Sequence, residues 1–155
     1  MNDNSPEIEE LVERGLFREA LASIDKLIRE AEPRAKFWAD KGWILYRMEN
    51  YASAAESFTQ ALALHPRAAT ALFFRAQCRE KLGDLVGALK DYHASFEIKP
   101  QPDAMLNIGL IFKYRQEHDA ARSAFCTALQ LDPACEVARE LMRELDSGRH
   151  PTPRG

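Results

Sequence analysis

The chain has 155 residues, of which 46% are apolar and 29% charged, enough for one ordinary domain with a core. Its 21 basic and 24 acidic residues give a net charge of −3, which excludes a global attraction to nucleic acid or membrane surfaces. Ala and Leu (23 and 17) far outnumber Val and Ile (3 and 7), which excludes most β architectures.

The expected location follows from two further features. No apolar run approaches the roughly 18 residues of a membrane span, and Met1 to Glu10 is acidic, unlike a signal peptide. The three cysteines form no Cys-x-x-Cys pair, and their odd number fits a reducing compartment. We therefore expect a soluble, cytoplasmic protein with no membrane partner.

Helical patterns begin at the N-terminus. Ser5 and Pro6 are typical of a helix start, and a short first helix carries Ile8, Leu11 and Val12. A second helical pattern follows and ends before Pro33. This pair of patterns then recurs along the chain. The alanines that mark it, at intervals of 34, 34 and 33, are Ala20, Ala54, Ala88 and Ala121; the prolines, at intervals of 33, 34 and 33, are Pro33, Pro66, Pro100 and Pro133.

A last helix is predicted after the repeats. From Ala134 to Asp146 the apolar residues lie on one face and the charged residues on the other, as expected for a helix that caps a solenoid. The expected organisation is a single domain at 5–146, with repeats at about 5–33, 35–66, 69–100 and 102–133 and a capping helix at 134–146. The tail at 147–155 has no apolar periodicity and is predicted to be disordered.

The repeat resembles the tetratricopeptide repeat, a helix-turn-helix unit of 34 residues. The second repeat carries the resemblance best, through Trp38, Gly42, Tyr51, Ala54, Phe58, Ala61 and Pro66. In the third repeat Ala76 replaces the early glycine and keeps that position small. The resemblance implies an all-α fold, a right-handed α-solenoid with a C-terminal capping helix, and a binding module instead of an enzyme.

Apart from the repeats, the sequence contains no recognisable catalytic or metal-binding motif. The histidines lie far apart without an H-x-x-x-H pair, and neither a nucleophile elbow nor a glycine-rich phosphate loop occurs. We predict no catalytic residue, no metal site and no cofactor. Cys126 is expected to be a small buried thiol, whereas Cys78 is expected to be partly exposed.

The resemblance implies that the first helix of each repeat lines a concave groove that holds an extended or helical peptide of another protein. The residues carried over to that groove are Lys36, Trp43, Tyr46, Arg47, Phe73, Gln77, Leu106, Leu110, Lys113 and Tyr114. Packing within the protein is the alternative for Trp43 and Tyr46, and it is the favoured role for Phe73, because neighbouring first helices touch there. Because residues 33–81 have a net charge of +4, an acidic residue or terminal carboxylate of the ligand could be attracted there.

Two other functions stay open from the sequence. The short first helix could expose an apolar edge that forms a homo-dimer through Ile8, Leu11, Val12, Leu16 and Phe17. The apolar groove and small size also resemble bacterial secretion chaperones, which hold an apolar segment of a partner. The chaperone-type clamp for acidic C-termini is absent, because Ala39 and Trp43 occupy the positions of its Lys and Asn.

Overall fold

The computed structural model describes residues 5–147, and every regular element in that range is an α-helix, which confirms the predicted all-α fold class. The helices, in chain order, are α1 (Ser5–Glu13), α2 (Phe17–Glu30), α3 (Ala35–Arg47), α4 (Tyr51–Leu64), α5 (Ala69–Lys81), α6 (Leu85–Ile98), α7 (Pro102–Tyr114), α8 (His118–Leu131) and α9 (Glu136–Ser147). Of the predicted tail at 147–155, the structure describes only Ser147, the last residue of α9. The rest of the predicted tail lies outside the described residues.

Four short turns connect helices at the same place in the repeat pattern, and each contains one residue with a left-handed backbone. Gly15 and Gly83 have φ of 74° and 84°, while Glu49 and Gln116 have φ of 60° and 62°. Glycine adopts this conformation without a steric penalty, whereas a side chain makes it costly. The two non-glycine turns therefore carry local strain that the glycine turns avoid.

Close helix approach explains the small residues of the repeat. A Cβ atom added to Gly42 on α3 would lie 2.9 Å from the Phe58 ring of α4. At Gly109 on α7 it would lie 2.3 Å from the Phe125 ring of α8. Both rings are fully buried, so these glycines let a phenylalanine of the second helix pack directly on the backbone of the first.

The chain divides into two compact units, with the division inside α6, between Asp91 and Tyr92. In the first unit, a core cluster joins α1, α2 and α3 and consists of Ile8, Ala20, Ile24, Phe37 and Ile44. Leu11, Val12 and Phe17 pack against it. The first helix is therefore short but is held to its own unit by apolar contacts.

A buried ion cluster connects α5 to the start of α6 in the first unit. The Asp91 carboxylate is 3% exposed and accepts two hydrogen bonds from Arg75, at 2.7 and 2.8 Å, and one from Arg79 at 2.8 Å. Arg75 also donates to the Thr59 hydroxyl of α4 at 3.2 Å. Because a buried carboxylate needs such partners, the cluster ties three helices together.

In the second unit α9 packs against α8, as a capping helix does. Its Leu145 joins Ala121 and Phe125 in a core cluster, against which Leu141 and Met142 also pack. Exposed charged residues occupy the opposite face of α9. This arrangement covers the apolar side of α8 and places a polar face toward water.

Candidate functional site

The first unit gathers its aromatic side chains where α3 meets α5. Trp43 stacks on Tyr46 with ring centroids 5.7 Å apart, and both rings contact Phe74 of α5, at 4.8 and 5.6 Å. Phe73 packs edge-on against Phe74 at 5.6 Å. We name these four residues the aromatic cluster. All four are half-buried, so the cluster contributes to packing and still presents ring surface to solvent.

Sequence reasoning placed Phe73 in the groove and missed Phe74, which is the centre of the cluster. Phe74 contacts Trp43, Tyr46, Phe73 and also Phe58 of α4, at 6.0 Å. It faces the neighbouring helix pair, and the repeat pattern assigns no inward role to its position. The Phe73-Phe74 pair was the signal in the sequence that could have identified Phe74. Two adjacent rings on a helix cannot both point into solvent without a large exposed apolar area, so one of them is expected to pack within the protein.

The predicted cations of this unit mostly have partners within the unit. The Arg47 guanidinium lies over the rings of Phe17 and Trp43, at 5.5 and 5.6 Å from their centroids. Lys36 pairs with Asp40 of the same helix at 2.8 Å. Gln77 is half-buried, and its Oε1 is buried without a hydrogen-bond partner among the described residues. Arg47 and Lys36 therefore both have partners within the first unit, and both side chains stay exposed.

A cleft of about 360 Å³ opens beside the aromatic cluster, between α1 and α3. Trp43 and Arg47 line it from α3. The other lining residues are Ile8, Glu9, Val12 and Glu13 of α1 and Asp40 and Ile44 of α3. Its size is at the lower end of small ligand sites and fits one or two side chains of a partner segment.

In the second unit, most of the predicted groove residues have partners within the unit. Leu106 and Leu110 pack against the core cluster that contains Leu145 of α9, and the Lys113 ammonium forms an ion pair with Glu144 of α9. Three of the four predicted residues here therefore have partners within the second unit, and one of them, Lys113, is bound by the capping helix. Tyr114 alone stays open, at 79% exposed.

The predicted self-association residues are largely inside the fold. Ile8 is 4% exposed in a single chain, and Leu11, Val12 and Phe17 pack on the cluster that contains it. Leu16 is half-buried. The expectation of an exposed apolar edge is wrong for Ile8, because α1 folds back onto α2 despite its length of nine residues.

Two titratable groups in the part of the chain described here have pKa values raised by burial. Burial raises the pKa of Tyr46, and it raises the pKa of the Cys78 thiol from 9.0 to about 11. Cys78 is buried and Cys126 is exposed, the reverse of what the sequence suggested. Within residues 5–147 no three His, Cys, Asp or Glu side chains converge as metal ligands would, and no helix is long and apolar enough to cross a membrane.

Comparisons with known proteins bear on the fold and the family. The family model described as tetratricopeptide repeat matches residues 39–101, and a second model of that description matches 102–135, so that together they cover more than half of the chain. Tetratricopeptide repeat protein 36 of Xenopus tropicalis is 35% identical over 88 residues, which are 54% of this chain and 44% of that protein. The chain spans less than half the length of the curated relatives it matches.

Solved structures share the fold at low sequence identity. The crystal structure of MamA has a TM-score of 0.87 at 17% identity, covering 96% of this chain and 85% of that one. YrrB, described as a TPR protein with an unusual peptide-binding site, has a TM-score of 0.80 at 22% identity, covering 88% and 71%. The two family models show that the chain belongs to the tetratricopeptide-repeat family, and its repeats are those of a protein-interaction module, not of an enzyme.

Proposed function

We propose that the chain is a cytoplasmic peptide-binding module and that the aromatic cluster with its adjoining cleft is the surface that binds an extended or helical segment of a partner. The observation that supports this most is the half-buried state of Trp43, which lines the cleft while its ring rests on Tyr46 and Phe74. A large ring held by its neighbours loses little conformational entropy on binding, which is typical of interface hot spots.

The chemistry of the surface supports a protein segment over a small charged metabolite. The exposed faces of the aromatic cluster and the apolar floor of the cleft offer ring and aliphatic contact area on three helices, α1, α3 and α5. Peptide-binding modules of this kind bury alternate or helically spaced side chains of the partner in such surfaces. YrrB, which shares the fold, is described as having a peptide-binding site. An adaptor and a chaperone for a partner's apolar segment would both use this surface.

Selection from a display library of short random peptides tests the proposal. Peptides enriched on the immobilised chain are then measured by isothermal titration against Trp43→Ala and Trp38→Ala, two variants that remove the same side chain from the same helix. The Lys41 ammonium lies over the Trp38 ring, and Trp38 does not line the cleft. We expect Trp43→Ala to weaken binding by about 30-fold, as for a central hot spot, and Trp38→Ala by less than about threefold.

A second variant separates binding from folding. Trp43→Phe keeps a ring in the aromatic cluster, so far-UV circular dichroism and the urea midpoint should stay close to those of the unchanged chain, while affinity falls by about fivefold through lost contact area. Peptides that bind Trp43→Ala and Trp43→Phe as tightly as the unchanged chain would refute the proposal. Absence of any enriched peptide would refute it as well.

The homo-dimer is the competing function, and the structure supports it less. Most of the residues that would carry the contact pack within the first unit, as Ile8 and Phe17 do. Light scattering over a wide concentration range distinguishes the two. A constant mass of one 17.6 kDa chain is expected if the surface serves another protein, whereas a mass that doubles with concentration would favour self-association.

A further inference from the structure

The cleft between α1 and α3 has an apolar floor and a charged rim. Its apolar lining residues are Ile8 and Ile44, which are 4% and 1% exposed, and Val12 and Trp43, which are half-buried. These four residues offer hydrocarbon and ring atoms to a partner side chain. The floor therefore selects a bulky apolar residue.

The rim of the same cleft is acidic. Its charged residues are the carboxylates of Glu9, Glu13 and Asp40 and the single guanidinium of Arg47. Asp40 pairs with Lys36, and Arg47 lies over two rings. Glu9 and Glu13 are exposed, and neither forms an ion pair within residues 5–147.

The spacing of these two carboxylates strengthens the effect. Glu9 and Glu13 are four residues apart on α1 and lie on the same helix face, where like charges repel each other. A cation placed between them is attracted by both and removes that repulsion. The cleft thus offers a favourable position for one positive charge beside an apolar pocket.

The positive net charge of residues 33–81 does not change this balance. Two of its cations, Arg75 and Arg79 of α5, pair with the carboxylates of Asp91 and Asp84. Lys41 pairs with Asp25 of α2 at 2.8 Å. These cations are already compensated inside the fold, so the expected attraction for an acidic ligand has little support at the cleft.

We infer that the cleft takes a partner segment with a bulky apolar side chain and, within about one helical turn of it, a lysine or arginine that lies between Glu9 and Glu13. The inference rests on the proposed function and specifies the partner's chemistry. Charge complementarity of this kind sets partner choice and association rate, and it is sensitive to salt because the rim is exposed to solvent.

The test uses three forms of the full chain in the same display selection. One is unchanged, one carries Glu9→Gln and Glu13→Gln, and the control carries Glu7→Gln and Glu10→Gln. The control removes the same charge from the same helix at exposed positions that do not line the cleft. Glutamine and glutamate have similar helix propensities, so α1 is preserved in all three.

The expected results differ between the forms. Peptides selected on the unchanged chain and on the control should be enriched in Lys or Arg next to an aromatic or aliphatic residue, and those selected on the cleft variant should lose this enrichment. Replacing the basic residue of one such peptide by Gln should weaken binding to the unchanged chain by about fivefold, and by less than twofold to the cleft variant. Raising the salt concentration should reduce the fivefold effect of the basic residue on binding to the unchanged chain.

Failure of this inference can be told from failure of the proposed function. Peptides that depend on Trp43 but are neutral or acidic, or whose basic preference survives in the cleft variant, would overturn the inference and leave the peptide-binding function standing. A basic preference lost equally in the control would also overturn it, because the effect would then come from net charge. Peptides that bind without any dependence on Trp43 would overturn both.

Discussion

Replacing Gly109 by Ala tests whether the close helix approach sets the stability of the repeat. The new Cβ would lie 2.3 and 2.6 Å from two carbons of the Phe125 ring, about 1 Å short of an optimal carbon contact of roughly 3.5 Å. Phe125 is 0% exposed, so any shift of its ring has to take place within the core. Overpacking of this kind costs about 3 kcal/mol, and the better helix propensity of Ala offsets about 1 kcal/mol, so we expect a net loss of about 2 kcal/mol.

The equivalent change in the second repeat provides the comparison. At Gly42 the contact with Phe58 would be 2.9 Å, a shortfall of only about 0.6 Å from optimal contact. Gly42→Ala should therefore stay within about 0.5 kcal/mol of the unchanged chain, because the propensity gain offsets the smaller clash. The third repeat has Ala76 at this position, so the fold accepts the methyl group where the facing ring allows it.

Urea unfolding followed by far-UV circular dichroism measures both changes. Gly109→Ala should lower the midpoint by about 1 M for a slope of about 2 kcal/mol per M, and a Phe125→Leu background should remove most of that loss by making room. The reasoning would be refuted if Gly109→Ala stabilised the chain, or if its effect were the same with Phe125 and with Leu at that position.

Three further predictions follow from the turns, the ion cluster and the thiols. Glu49→Gly should raise the free energy of unfolding by about 0.5–1 kcal/mol, because φ of 60° costs a side chain energy that glycine does not incur. Asp91→Ala should lower it by about 3 kcal/mol, because Arg75 would stay largely buried without its partner. Cys78, with its pKa raised to about 11, should be alkylated at pH 8 far more slowly than the exposed Cys126.

Controls make each of these outcomes decisive. Gly15→Ala should destabilise its turn, since φ is 74° there with no neighbour within 4 Å, and a neutral result would remove the strain argument. Asp25→Asn breaks a more exposed pair and should cost less than about 1 kcal/mol; a loss equal to that of Asp91→Ala would contradict the role of burial. Mass spectrometry of tryptic peptides measures the alkylation rate of each cysteine. Equal rates for Cys78 and Cys126 would contradict the thiol prediction.

The helical repeat was predictable because its signals are local. Small residues at fixed intervals, such as Gly42 and Gly109, mark where helices touch, and prolines such as Pro66 mark where they end. The structure confirms the all-α class. At both glycines, a phenylalanine ring of the paired helix lies so close that a Cβ atom would clash with it. Patterns of 34 residues carry this information because each repeat packs mainly on its neighbours.

The candidate site was less predictable because it depends on which residues a neighbouring element covers. Lys113 and Leu110 occupy the same kind of helix position as Tyr46 and Trp43, yet Lys113 pairs with Glu144 of the capping helix and Leu110 packs against the core cluster that contains Leu145. Phe74 was missed for the converse reason, since its contacts come from α3 and α4, far away in the sequence. Side-chain pairing across elements is set by packing and not by repeat position.

The charge of the site shows the same limit. Summing charges over residues 33–81 indicates a positive surface, but the sum ignores that Arg75 and Arg79 are bonded to Asp91 and that α1 brings Glu9 and Glu13 to the cleft. The net charge of a segment predicts the electrostatic field at a site only when no other segment contributes charges there. Here the decisive carboxylates come from the preceding, acidic part of the chain.

Nuclear magnetic resonance with a selected peptide tests the central claim most directly. The chain contains two tryptophans, so two indole N–H signals report separately on the cleft and on a distant face of α3. Titration should shift the signal of Trp43 together with backbone amides of α1, α3 and α5, and leave that of Trp38 in place. Shifts confined to Trp38 and the second helices of the repeats, with Trp43 unmoved, would contradict the account.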